Sequence, residues 1–465
     1  MSGFLADQFY ETGDQRIERL KTLVEQCDPE WLAPFARWLR HVANMRSAPI
    51  VVAAEYAANG FPNSRSVISS VLARADEPGE LLGYWRAHHS RAVRSSVKRG
   101  INDAITGANG SRPLYSEFTA LRYDSGPWRF GDVIEVTHPQ PNTPEQSTLF
   151  KWLLDRRRHG NETPPAELQM ITAVRGFDAT PEEQRRDLIR TTGLPKGVSW
   201  ERLAGWLPGG MDREAWEAVL PQMGYMAVLR NLNNFDRAGI DPVIVRPRLT
   251  DPEAIEKSRV LPFRFLTAYA NAETDNYRLD LAASADIAIS NLPQLAGRTL
   301  VMVDCSGSMG YAVGAGRSRN PLSLSQLAGF TAESLARSCE DALIVCYDVD
   351  ILNAAPPARH VPVVRAAADD RYFPRGGTHT WRCTSRALSQ WDADRVVIIT
   401  DEQAHDTDPG IRKPIVTWNL AGYRPHHAPH GTANRFLIGG VTDRAMQLLP
   451  TLINASGTGD WPWHS

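Results

Sequence analysis

The spacing of apolar residues changes once along this chain, near Gly297, and that change limits what the chain can fold into. From Arg16 to about Leu292, apolar residues recur three and four positions apart in segments of a dozen or so residues, each closed by Gly, Pro or Asn. RIERLKTLVEQ, PEWLAPFARWLRHVANM, APIVVAAEYAANG, SRSVISSVLARA, GELLGYWRAHH and SRAVRSSVKRGINDAI all read as amphipathic helices. Helical pairs begin roughly 40 residues apart, the period of HEAT and armadillo arrays. Residues 1–296 therefore read as a stacked α-solenoid, with a compact helical bundle as the alternative.

After Gly297 the pattern is different. RTLVMV, DALIVCY, VPVV, RVVIIT, KPIVTW and RFLIGG are continuous apolar runs rich in β-formers, interleaved with helical patterns at 322–338 and in SRALSQW. Strands that are apolar throughout belong to a parallel sheet covered on both faces. Residues 297–465 read as a doubly wound α/β domain of the Rossmann-like class, and LPQLAG (292–297) is the expected hinge. The length of 465 residues agrees, since a single core stops growing at roughly 250–300.

Composition excludes several classes. The chain is 42% hydrophobic and 22% charged, as globular proteins are, with a net charge of −2, so it is not basic throughout. No apolar run approaches the roughly 18 residues of a membrane span, and MSGFLADQFYETGD lacks the features of a secretory signal, so a cytoplasmic location is expected. Five cysteines without a CxxC pair read as reduced thiols. There is no GxxxxGK[ST], HExxH or GxSxG signature, and the chain is not expected to be an enzyme.

The strongest constellation is a set of oxygens. The first strand ends in Asp304-Cys305-Ser306-Gly307-Ser308, a DxSxS pattern at the edge where open α/β sheets bind ligands. Gly376-Gly377-Thr378 supplies another hydroxyl on a flexible loop, and the strand RVVIIT delivers Asp401 to the same edge. Mg²⁺ takes about six oxygen ligands, and short hydroxyls with carboxylates from three loops are a suitable donor set. Asp304, Ser306, Ser308, Thr378 and Asp401 together resemble the metal-ion-dependent adhesion site of von Willebrand factor type A domains. That resemblance implies Mg²⁺ or another divalent cation, either recruiting an acidic partner or only holding the loops. Glu402, His405 and Asp406 read as solvated loop residues, with support of the ligand residues from behind as the alternative.

In the helical half, Phe130–Pro141, Met226–Asn233 and Val260–Leu266 resemble segments of the TROVE module shared by the Ro autoantigen and its bacterial relatives. The order of helical repeats followed by an A domain is also that family's order. The resemblance implies a closed ring of HEAT-like repeats that binds Y-like non-coding RNA and the single-stranded 3′ ends of misfolded RNA. The partner implied is an exoribonuclease or another RNA-processing enzyme, with no membrane and no DNA. By position, His138 matches a family histidine whose loop contacts RNA, and Arg122 a basic residue near it.

The charge pattern agrees with an anionic partner. Between Arg86 and His159 there are twelve Lys and Arg against seven acids, and phosphate contacts of that kind give salt-sensitive, sequence-independent binding. Arg91, Arg94 and Lys98 follow helical spacing and are expected on one face. Arg156-Arg157-Arg158 fits a helix C-terminus facing its own dipole. Two functions remain: an RNA-binding scaffold for RNA quality control, or a metal-dependent protein-interaction module with the helices as a spacer.

Overall fold

The computed structural model describes residues 13–90, 92–313, 320–421, 434–440, 446, 448–453 and 461–463. Among them, nineteen α-helices from Gly13–Gln26 to Arg278–Ala288 precede the first strand. None of the helices is long and apolar enough to cross a membrane. The chain divides into two compact units, principally Gly13–Met223 and Gly224–Ser465.

The first unit is all helical, and local chemistry starts its helices. Asp28 caps Pro29–His41 by accepting the Glu30 N–H at 2.9 Å, with Pro29 in the first turn, where a missing N–H costs nothing. Leu32, Ala36 and Leu39 recur at helical spacing on that helix and are buried. Helices Ser64–Val71 and Ser95–Thr106 approach closely at Gly100, where a Cβ would stand 2.6 Å from the Arg65 carbonyl and 2.7 Å from Ile68. The Arg65 guanidinium grips the Asp103 carboxylate across the same contact, at 2.7 and 2.8 Å.

One helix start departs from the sequence reading. The helix expected from Ser90 begins at Ser95, with Arg94 as its N-cap residue in an extended conformation (ψ 145°). Arg94 and Lys98 therefore do not share a helix face, and Arg91 lies outside the described residues. Arg94 instead donates from Nη1 to the Ala57 carbonyl at 2.9 Å, adding a side-chain bond to an acceptor at the end of helix Ser47–Ala58 that the Gly60 N–H also reaches at 3.1 Å.

The second unit joins the last helices to a six-stranded sheet of order β3-β2-β1-β4-β5-β6. Its strands are β1 (Leu295–Asp304), β2 (Cys339–Tyr347), β3 (Ile351–Ala355), β4 (Arg395–Thr400), β5 (Ile415–Asn419) and β6 (Arg435–Gly439). All pairs are parallel except β2 with β3. Leu300, Met302, Val345, Val396 and Ile398 pack on one face with Trp381 of helix Thr380–Gln390. Val301, Val303, Ile344, Val397 and Ile399 alternate with them and are equally buried, so the strands are covered on both faces, as their continuous apolar runs required. The preceding helices share this core. Phe263 packs on Phe330 with ring centroids 5.2 Å apart, and Arg337 bonds Asp286 at 2.9 Å.

Three local readings are corrected. The hinge segment 292–297 is already strand from Leu295, with a register shift before Arg298 and Gly297 at φ +75°. VPVV is not a strand: Pro362 precedes a short helix, Val363–Ala366. The antiparallel edge is Ile351–Ala355 instead, five residues interrupted by Asn353 and too short to stand out in the sequence.

Candidate metal site and basic helical surface

Three loops leave the carboxyl edge of the sheet and are stitched together by backbone. The Arg375 N–H donates to the Cys305 carbonyl at 2.6 Å, and Gly307 N–H to Gly376 at 3.0 Å. The His405 N–H donates to the Thr378 carbonyl at 3.2 Å, tying the second loop to the third. Asp304, Ser306, Thr378 and Asp401 are all buried, and Ser308 is half-buried. The five residues read from the sequence are thus brought to one edge by adjoining loops.

The carboxylates are held in a definite order. Asp304 accepts from the Ser306 N–H at 2.8 Å and from the Thr400 hydroxyl at 2.6 Å. The Ser306 and Ser308 hydroxyls lie 3.2 Å apart. Burial pushes the Asp304 carboxyl up to about 6, opposed by the Thr400 and Ser306 hydrogen bonds, with Asp401 adding repulsion. Asp401 is also raised by burial, opposed by the Ser308 hydroxyl and the Gln403 N–H. Among the described residues, no Lys, Arg or His forms an ion pair with either carboxylate, and Asp401 Oδ2 is buried without any hydrogen-bond partner. Two neighbouring buried carboxylates and an orphaned oxygen fit a hard divalent cation.

Sequence reasoning missed part of this edge. Thr400, the last residue of β4, holds Asp304 in place, and its hydroxyl also accepts the Glu402 N–H at 2.9 Å. Asp348 follows β2 directly, is buried, and has its carboxylate 3.1 Å from where a Cβ on Gly376 would stand. A carboxylate just after a buried parallel strand was the available signal. Glu402 is not a solvated loop residue: it is buried at φ +67° and accepts from Asn419 Nδ2 at 2.9 Å.

On the helical side, half of the twelve counted cations are engaged within the fold. Arg156 pairs with Asp124, Arg157 with Asp132 at 2.7 Å, and Arg158 with Glu135 at 2.7 Å. The triplet does close helix Pro144–His159, as the dipole argument required. Arg86 stacks on Trp128 and Arg122 on Phe118, with the guanidinium carbons 4.5 and 5.1 Å from the ring centroids. Lys98, Arg99, Arg112, Arg129 and Lys151 have no ion-pair partner among the described residues.

His138 ends helix Phe130–Thr137 in the left-handed region at φ +51°, with its N–H donating to Ile134 and its side chain exposed. An uncommon conformation for a non-glycine residue persists only where the surroundings hold it. Here Asn102 Nδ2 donates to the Thr137 carbonyl at 2.9 Å. Asn102 lies one turn beyond Lys98 on helix Ser95–Thr106, so this helix positions both the free Lys98 and the His138 loop.

Residues 184–310 match the family model of the TROVE domain. Among solved structures, it is similar to the crystal structure of the Deinococcus radiodurans RO (RSR) protein, at 17% identity and a TM-score of 0.70. That similarity covers 98% of this chain and 95% of the other, so the two share a fold of helices followed by an α/β sheet. A comparison with curated proteins found no match. The TROVE match includes the segments 226–233 and 260–266 and runs through β1 to Gly310, taking in Asp304, Ser306 and Ser308. Lys98, Arg122 and His138 lie outside it, in the first unit.

Proposed function

We propose that the chain is an RNA-binding scaffold of Ro type rather than an enzyme, acting in the cytoplasm in RNA quality control. Its helical half holds Y-like non-coding RNA and the single-stranded 3′ ends of misfolded RNA, and presents them to an exoribonuclease or similar processing enzyme. The observation that carries this reading is the TROVE match within a Ro fold that spans nearly the whole chain. Lys98 and the exposed His138, positioned by one helix, supply a cationic contact and an aromatic ring, which suits a strand held by its phosphates and by base stacking.

The α/β half is proposed as an A domain whose Asp304, Ser306, Ser308, Thr378 and Asp401 hold Mg²⁺. Support comes from the orphaned Asp401 oxygen and the two buried carboxylates without a cation among the described residues. When bound, the ion supplies the positive charge this edge lacks and an oxygen-seeking position for an acidic group. The chain's own residues do the rest: Thr400 and the Ser306 N–H fix Asp304, and Ser308 and the Gln403 N–H hold Asp401.

Sequencing the RNA that copurifies with the native protein tests the scaffold reading. Enrichment of structured non-coding RNAs with unpaired 3′ ends is expected. RNA indistinguishable from that on an unrelated protein of the same charge would refute it, and EDTA-sensitive capture of an acidic protein would then favour the interaction-module reading.

A further inference from the structure

Trp128 is fitted to helix Glu77–His88 by two glycines. A Cβ at Gly79 would stand 2.7 Å from the Trp128 Cβ, and one at Gly83 would stand 3.1 Å from the indole Nε1. Positions 79 and 83 are one turn apart, so together they open a slot along one helix face in which the indole lies. Glycine is unfavourable inside a helix, and here it is the residue that lets the ring approach so closely. Trp128 is half-buried, and the Arg86 guanidinium, one turn beyond Gly83, covers it with its central carbon 4.5 Å from the ring centroid.

That ring is all that Arg86 holds. Three other arginines of the first unit also rest on aromatic rings, but each has further partners. Arg74 on Tyr123 pairs with Asp76, and Arg156 on Trp152 pairs with Asp124. Arg185 on Trp206 donates to the Thr180 and Trp206 carbonyls. Arg86 is exposed and has no ion pair or side-chain hydrogen bond among the described residues. No acid stands three or four residues from it on its own helix. Its outer face and its N–H donors are therefore open to a partner. Arg129, the residue after Trp128, is likewise exposed and without an ion-pair partner among the described residues.

We infer that Arg86, carried on Trp128, is a stacking platform for an unpaired nucleobase. A guanidinium is flat and weakly hydrated, and bases stack on its plane as they do on an aromatic ring. An ordinary surface arginine must give up side-chain freedom to present that plane, whereas the indole in its glycine slot has already ordered this one. Arg129 adds a second cation beside the platform for the phosphates of the same strand. The inference rests on the scaffold reading and deepens it: it places a base contact on helix Glu77–His88, apart from the helix that carries Lys98 and supports the His138 loop.

The test is fluorescence-anisotropy titration of the full chain with a short labelled oligoadenylate and with the same strand carrying abasic riboses in place of its nucleosides, at one salt concentration. The wild type is expected to bind the base-bearing strand more tightly. Arg86→Lys keeps the charge and loses the plane, so it should weaken binding of the oligoadenylate by about fivefold or more and leave the abasic strand unchanged. Arg86 is exposed, so this variant keeps its fold. Trp128→Leu, which takes away the support, should shift the ratio of the two affinities in the same direction. A purely structural contact between Arg86 and Trp128 would lower Tm in these variants without altering that ratio. An unaltered ratio, or an equal weakening of both strands, would overturn the platform and leave the scaffold reading in place; a wild-type chain that binds neither strand would overturn both.

Discussion

The sheet edge and the basic helical region hold opposite lessons about charge. At the sheet edge, two carboxylates far apart in sequence are buried together with no ion-pair partner among the described residues, where one oxygen also has no hydrogen-bond partner. In the helical region, about half of the cations counted in the sequence are engaged within the fold, on Asp124, Asp132, Glu135, aromatic faces and the Ala57 carbonyl. A charge that is buried and uncompensated asks for a ligand, whereas a charge count along a chain does not make a patch. What the helical region leaves for a partner is Lys98 and the His138 loop, with Arg99, Arg112, Arg129 and Lys151 also without an ion-pair partner among the described residues.

The largest effect should follow from breaking the edge. Asp304→Ala is expected to abolish Mg²⁺ binding in calorimetry, and wild-type affinity in a folded variant would refute the metal site. Next comes its pH dependence. With Asp304 raised from 3.8 to about 6, the folded state holds that proton more tightly than the unfolded chain, so this group stabilises the metal-free fold at low pH and the contribution is lost as pH rises from about 4 to 6. Mg²⁺ competes with the proton, so its stabilising effect should grow across the same window, to about 2–3 kcal/mol at a hundred times Kd near neutral pH. Thermal melts with and without Mg²⁺ at pH 5 and pH 7.5 would read it, and an equal shift at both would be evidence against the site.

Smaller effects sharpen the helical side. Replacing Lys98 and His138 together should weaken binding to an RNA with a single-stranded 3′ tail by roughly tenfold, about 1.4 kcal/mol. Arg94→Ala should act mainly on stability, lowering Tm by a few degrees through the lost bond to Ala57, because Arg94 is engaged in closing a helix. Arg158→Ala should change RNA affinity least of all, and stability by under about 1 kcal/mol, since its pair with Glu135 is on the surface.

How much of this was legible in the sequence depended on whether the partners lay close along the chain. Asp304, Ser306 and Ser308 are adjacent on one turn, and Thr378 and Asp401 carry their own strand or glycine context, so the cluster was readable before any coordinates. Asp348 was marked only by its place just after a buried strand, and Thr400, the last residue of β4, by nothing, because neither has a spacing to confirm it. The charge pairs were invisible for the same reason: Arg157 finds Asp132 and Arg158 finds Glu135 across 25 and 23 residues, through the packing of two helices. The start of helix Ser95–Thr106 was misplaced because Arg91, Arg94 and Lys98 keep a helical period straight through the N-cap.

Filter binding of the full chain to one RNA, with and without an unpaired 3′ tail, tests the scaffold reading most directly when run at 50 and 200 mM salt. The tailed RNA should bind tighter and lose roughly tenfold or more in affinity at the higher salt, as a few phosphate contacts require. Equal retention of tailed and blunt RNA, or an affinity that salt does not change, would contradict the proposal that the helical half of this chain holds single-stranded RNA.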